Sequence, residues 1–252
     1  MTKDPQGIKT YENAEERAAR DRLWTLFKDC PIPSDQRLSN LGLFLNSKNL
    51  SRLLFMDHLY RQVVDIPGVV MEFGVRWGQN TSLFAALRGI YDPFNRHRTI
   101  LGFDTFEGFP AISDKDGDSE MMIQGNLSLT KGYERYLEAV LACQEADNPL
   151  SHIKKFDLIK GDAVLTVQDY LERHPQTIVA LAYFDFDLYE PTRKCLECIV
   201  PYLTKGSVLG FDELNDPDSP GETVALREVF GLKNIALRRY RYASRVSYFT
   251  VE

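Results

Sequence analysis

The sequence predicts an α/β fold with a mostly parallel sheet, and three observations carry that expectation. Short apolar runs at 69–73, 99–104, 156–160, 178–186 and 207–211 alternate with segments whose apolar residues recur at helical spacing. The central runs are apolar throughout rather than alternating, as strands covered by helices on both faces must be. Acids gather at the carboxyl ends of the runs: Glu72, Asp104, Asp162, Asp185 with Asp187, and Asp212 with Glu213.

The elements follow in order. Residues 10–28 read as a polar helix stopped by Pro31-Ile32-Pro33, and 48–64 as a helix with a strongly apolar face. The turn at 65–68 leads into the first strand, 69–73, and then a helix over 79–91. A second strand over 99–104 is followed by a long Gly-, Asp- and Pro-rich loop, 107–131, of the kind that is functional in a compact domain. A helix over 132–146, a strand over 156–160, a helix over 163–173 and the strand 178–186 come next. The chain then continues through a helix from about 191, a strand over 207–211 and a helix over 221–230. Strands at 234–240 and 244–251 close it as an antiparallel hairpin, the sixth and seventh strands of the sheet.

Composition narrows the function. The 252 residues carry a net charge of −6, which argues against general nucleic-acid binding while leaving room for a local basic pocket. No apolar run approaches the roughly 18 residues of a membrane span, and residues 1–5 lack the apolar core of a signal peptide, so a cytoplasmic enzyme with no membrane partner is expected. Cys195 and Cys198 form a C-x-x-C inside a helical segment with no second such pair, which reads as two helix-face cysteines rather than a zinc or redox centre.

In parallel α/β sheets the ligand lies beyond the carboxyl ends of the strands, so the acids there are site candidates. The first strand runs into Glu72-Phe73-Gly74-Val75-Arg76-Trp77-Gly78, where Gly74 and Gly78 allow a tight turn and close backbone approach. The G-x-G-x-x-G spacing of dinucleotide enzymes is absent. Glu72 would repel a pyrophosphate but suits a cofactor bearing an ammonium and a sulfonium, S-adenosylmethionine (SAM); the plainer alternative is a strand-turn signal. Asp104, 32 positions after Glu72, can accept both ribose hydroxyls, and Gly161-Asp162 adds a third contact near the adenine.

Asp185 and Asp187 share one face of the fourth strand, and Asp212 and Glu213 end its neighbour. Four carboxylates so close call for a cation, and a hard divalent ion such as Mg²⁺ or Ca²⁺ fits oxygen ligands, unless some of them are helix caps or solvated loop acids.

The motifs GVVMEFGVRWG (68–78), FDTFEGFP (103–110), KGD (160–162), DFDLYEPT (185–192) and FDE (211–213) resemble the macrocin O-methyltransferase family, bacterial SAM-dependent enzymes that methylate sugar hydroxyls in natural products; the resemblance spans roughly 50–230. It implies a Rossmann-like class I methyltransferase over 66–252, with a seven-stranded sheet and an N-terminal helical lid over 1–65, the two forming one unit. It implies SAM as cofactor and SAH as product. The cofactor would be held by Glu72, Gly74, Gly78 and Thr81 at the first strand and by Asp104, Thr105 and Phe106 at the second. Gly161 and Asp162 at the third strand, with Asp185, would complete the set. Asp185, Asp212 and Glu213 would bind Mg²⁺, and Asp187 would act as general base. The family pattern has two adjacent aspartates where this chain has Asp212-Glu213, a departure that bears on the metal.

The acceptor expected from the resemblance is a deoxysugar hydroxyl, on a nucleotide-activated sugar or a glycosylated natural product. A catechol-type diol acceptor and a noncatalytic SAM-binding partner are the alternatives. The apolar leading helices suggest a homo-oligomer.

Overall fold

The computed structural model describes residues 6, 8 and 11–252. Seven strands form one sheet: β1 (Val69–Phe73), β2 (Ile100–Asp104), β3 (Phe156–Lys160), β4 (Val179–Phe184), β5 (Leu203–Phe211), β6 (Arg238–Arg239) and β7 (Ser247–Thr250). Their order is β3-β2-β1-β4-β5-β7-β6. The first five are parallel, while β7 runs antiparallel to both β5 and β6. The expected hairpin is therefore present, but its second strand docks against β5 and its first becomes a two-residue edge.

Helices cover both faces. On one lie α2 (Ser47–Gln62), α3 (Gln79–Tyr91) and α4 (Tyr133–Ala146), whose Phe55, Phe84 and Leu137 pack on Val70, Ile100 and Leu181 of the sheet. On the other lie α5 (Ala163–Arg173), α6 (Tyr189–Ile199) and α7 (Gly221–Val229), whose Val167, Leu196 and Leu226 pack on Met71, Leu101 and Leu209. Cys195 is in this second core and Cys198 packs against it; both thiols are free, as two helix-face cysteines should be.

The leading segments behave differently from one another. Helix α1 (Ala14–Lys28) starts at an Asn13–Glu16 capping box and buries no residue. Helix α2 is part of the body, with Phe55, Met56, Leu59 and Tyr60 inaccessible to solvent. The loop after β2 is more ordered than its composition suggests. The Asp116 carboxylate accepts from the Ser113 N–H at 2.6 Å and from the Tyr189 N–H at 2.5 Å, fastening the loop to the start of α6. No helix among the described residues is long and apolar enough to cross a membrane.

One packing feature sets the geometry of the strand ends. Phe103, Phe73, Phe184, Phe211 and Phe249 stack ring on ring across β2, β1, β4, β5 and β7, with centroids 4.7–6.4 Å apart and planes within 17°. Phe73 lies opposite both Phe103 and Phe184, and Phe184 opposite Phe211. Each of these four immediately precedes a candidate site residue: Asp104, Gly74, Asp185 and Asp212. Stacked aromatics resist strand slippage, because a one-residue shift would turn every ring to the opposite face. The ladder thus holds the site residues in a row.

Candidate active site

A cleft of about 260 Å³ opens at the carboxyl edge of the parallel strands. Of the expected cofactor residues, Gly74, Asp104, Thr105, Asp162 and Asp185 line it; Asp187, Asp212 and Glu213 line its other half. Glu72, Gly78, Thr81, Phe106 and Gly161 do not border the cleft.

Glu72 is wholly buried. The Thr81 hydroxyl donates to its Oε2, while Oε1 has no hydrogen-bond partner. Burial pushes its carboxyl up to about 8, against the hydrogen bond from Thr81. An orphaned buried oxygen asks for a donor that the protein does not supply. A cationic ligand fits that requirement.

The glycines act for a reason the sequence did not reveal. Gly74 has φ +91°, and a Cβ there would lie 2.0 Å from the Asp185 carbonyl oxygen. Gly78 has φ +78°, and its Cβ would meet Leu137 of α4 at 2.3 Å. Both admit close protein contacts, β1 to β4 and α3 to α4. Asp104 ties this turn to the second strand: its two oxygens accept the N–H groups of Arg76 at 2.7 Å and Phe106 at 2.6 Å. Asp162 is the N-cap of α5 and accepts from the Val164 N–H at 3.0 Å. The side chain of Arg76 donates to Gln6 at 2.6 Å, and Asn126 donates to the Gln6 carbonyl at 2.9 Å, so Gln6 is held at the cofactor half. Arg76, Phe106 and Asp187 are left-handed non-glycine residues, one at the end of each of β1, β2 and β4. Such conformations concentrate at sites the surrounding structure over-determines.

In the other half, Asp185, Asp212 and Glu213 each offer a carboxylate oxygen, all within 4.8 Å of one another. Two arginines unforeseen in the sequence face them. Arg52 of α2 pairs with Asp212, lies 3.9 Å from Asp185, and donates to the Tyr183 hydroxyl at 2.7 Å. Tyr183 in turn donates to Asp212 at 2.6 Å. Arg245, in the β6–β7 connection, pairs with Glu213 and, at 3.1 Å, with Asp216. Part of the neutralisation expected of a metal thus comes from protein cations. Glu222 of α7 is also unforeseen: it accepts from the backbone N–H groups of Phe186 at 3.0 Å and Glu213 at 3.3 Å, pinning both acidic loops.

The electrostatics are divided among these acids. Burial and the neighbouring Asp212 raise Asp185 and Glu213 well above the carboxylate range. Asp212 goes the other way: burial pushes it up, but Arg52, Glu213 and Tyr183 together hold it low. Asp187, 7% exposed, is raised to about 6 by burial and Asp212. Its carboxylate faces the cleft with no hydrogen bond or ion pair to any described residue. A desolvated, unengaged carboxylate near pH 6 is suited to take a proton. The triad is an all-oxygen donor set and Glu213 Oε2 has no partner, which fits a hard divalent cation.

No family model matches the chain. It is 45% identical, with a TM-score of 0.93, to a crystal structure of CalS11, calicheamicin methyltransferase, over 99% of this chain and 97% of that one. An apo structure of CalS11, TDP-rhamnose 3'-O-methyltransferase, an enzyme in calicheamicin biosynthesis, is 43% identical with a TM-score of 0.85 and covers 96% of each chain. Mycinamicin III 3''-O-methyltransferase of Micromonospora griseorubida is 27% identical over 187 residues, 71% of this chain and 67% of the relative. The O-methyltransferase NovP shares the fold, with a TM-score of 0.59 at 19% identity over 79% of each chain.

Proposed function

The chain belongs to the macrocin O-methyltransferase family of SAM-dependent sugar O-methyltransferases, and from that premise we propose that it methylates a deoxysugar hydroxyl in secondary-metabolite biosynthesis with Asp187 as general base. The observation that carries the assignment of the base is the state of Asp187: buried, raised to about 6, unengaged, and beside the Asp185–Asp212–Glu213 triad.

SAM, when bound, supplies the methyl group on its sulfonium. The unpartnered Glu72 Oε1, buried behind the Gly74 turn, would favour the cofactor's cationic end, Asp104 would accept its ribose hydroxyls, and Asp162 would border its adenine. Asp187 would take the proton of the acceptor hydroxyl as its oxygen bonds to the methyl carbon in line, the bond from that carbon to sulfur breaking with its electrons going to sulfur. Asp185, Asp212 and Glu213 would hold a divalent cation such as Mg²⁺, which would lower the pKa of a hydroxyl it touched. The phenylalanine ladder and Glu222 fix these groups relative to one another, and such positioning is where much of the rate gain of a two-substrate transfer arises.

The test is a panel of nucleotide deoxysugars, glycosides and catechols incubated with enzyme, SAM and Mg²⁺ and analysed by chromatography. Methylated sugar is expected. Methylation confined to catechols, or no product across the panel, would count against the assignment.

A further inference from the structure

One stretch stands apart from the rest of this acidic chain. Residues 229–251 hold Lys233, Arg238, Arg239, Arg241 and Arg245 and no Asp or Glu. All four arginines are exposed. The register places them. Phe211 at the end of β5 lies opposite Ser247, and Ser247 opposite Arg239, so the β6–β7 connection rises at the same sheet edge as Asp212 and Glu213. Two strand spacings, about 10 Å, separate β5 from β6.

Arg245 reaches the cleft wall and is occupied by Glu213 and Asp216. Arg238, Arg239 and Arg241 make no ion pair with any described carboxylate. The Arg241 guanidinium sits 5.4 Å from the ring centre of Tyr242, which is 62% exposed. Tyr242 packs edge-on against Tyr240 at 5.4 Å, and Tyr240 is anchored on Phe55 at 5.0 Å. A firmly based, solvent-facing ring beside unpaired guanidinium groups is a stacking platform next to an anion receptor.

The acceptor half of the cleft disfavours a polyanion. Asp185, Asp187, Asp212 and Glu213 line it, Glu222 is bonded to the backbone of Phe186 and Glu213, and the two arginines nearest, Arg52 and Arg245, are already paired with Asp212 and Glu213. A sugar whose hydroxyl stands at Asp187 must therefore direct any anionic carrier outward, and the β6–β7 turn is the basic rim on that side.

We propose that the β6–β7 turn is a nucleoside-diphosphate subsite, in which Arg239 and Arg241 receive the diphosphate and Tyr242 offers its ring to the base. This rests on the sugar-methylation reading and narrows the acceptor to a nucleotide-activated sugar. Methylation then precedes glycosyl transfer, and a glycosyltransferase reaction must consume the product.

Two measurements test it: calorimetric binding of thymidine diphosphate alone, and initial rates with thymidine-diphosphate rhamnose against methyl rhamnoside. The double variant Arg239→Ala/Arg241→Ala is expected to weaken thymidine diphosphate binding and raise the nucleotide-sugar KM at least ~10-fold, as the loss of charge-assisted hydrogen bonds requires. kcat and any turnover of methyl rhamnoside should stay unchanged. Tyr242→Ala should weaken binding by a smaller factor, and added salt should shrink the difference between wild type and the arginine variant. An unchanged KM in the double variant, or a wild-type enzyme that does not bind thymidine diphosphate, overturns the subsite. If methyl rhamnoside is methylated as efficiently as the nucleotide sugar, the subsite falls while sugar methylation stands. If neither sugar is methylated, sugar methylation falls, and the calorimetry still decides whether the turn binds the nucleotide.

Discussion

The guanidinium of Arg52, on α2, pairs with the carboxylate of Asp212 at the end of β5, and both share the Tyr183 hydroxyl. The pair fastens a helix from the leading part of the chain to the acceptor half of the cleft. It also keeps Asp212 ionised while Asp185 and Glu213 beside it are pushed toward the neutral form.

Arg52→Ala is expected to lower stability by about 2–3 kcal/mol, below the usual cost of breaking a fully buried pair because Arg52 is partly exposed. Calorimetric melting of the two proteins checks it. An unchanged melting temperature would mean that Asp212 is neutralised by something other than Arg52.

The pH dependence of kcat/KM reports on Asp187. A base must be ionised to act, so a group held at about 6 gives a profile that falls as pH drops below about 6, tenfold per unit, and levels above it. A limb near the ordinary carboxylate value of 3.8 would show that burial and Asp212 do not perturb the group as described.

Glu72 makes a stability prediction with a definite sign. Its carboxyl rises from 4.5 to about 8 on folding, so the folded chain holds a proton that the unfolded chain has released over that interval. Its contribution to stability is fully present below about pH 4.5 and is lost as pH rises to about 8. Without cofactor, wild type should therefore lose stability relative to Glu72→Gln across this window, by on the order of a few kcal/mol. Denaturant titrations at pH 5 and pH 8.5 measure the change, and SAM affinity should fall at least ~10-fold in the same variant as a charged hydrogen bond is lost.

Gly74 and Gly132 separate two uses of glycine. An Ala at 74 would press its Cβ to 2.0 Å from the Asp185 carbonyl, whereas at Gly132, φ +81°, nothing lies within 4 Å. Gly74→Ala is expected to cost more than about 4 kcal/mol, as backbone clashes do, and Gly132→Ala about 1 kcal/mol from its φ alone. Equal melting temperatures would show that β1 and β4 can part at this point.

Much of the fold was legible because its signals are local. β1, β2 and β3 match the expected strands to within a residue, and the acids fall at their carboxyl ends as the apolar runs imply. The phenylalanine before Asp104, Gly74, Asp185 and Asp212 was visible in the sequence, but its stacking depends on strand order, which no local pattern encodes. The same holds for β7, which sits between β5 and β6. Arg52, Arg245 and Glu222 were missed because each reaches the site from a separate element, 131 positions from Tyr183 in the case of Arg52. A signal for the β6–β7 arginines did exist, in the absence of any acid over 229–251. For the glycines, the sequence identified the residues but not their close contacts with Asp185 and Leu137, which depend on how separate elements pack.

The most direct test of base-assisted sugar O-methylation follows a ¹³C-labelled methyl group from SAM into the product by NMR, for wild type and Asp187→Asn. The label is expected on a sugar hydroxyl oxygen of the acceptor, with the rate in Asp187→Asn reduced by ~10²–10⁴ while SAM binding persists. A label on any other atom, or an Asp187→Asn enzyme that turns over at the wild-type rate, would contradict it.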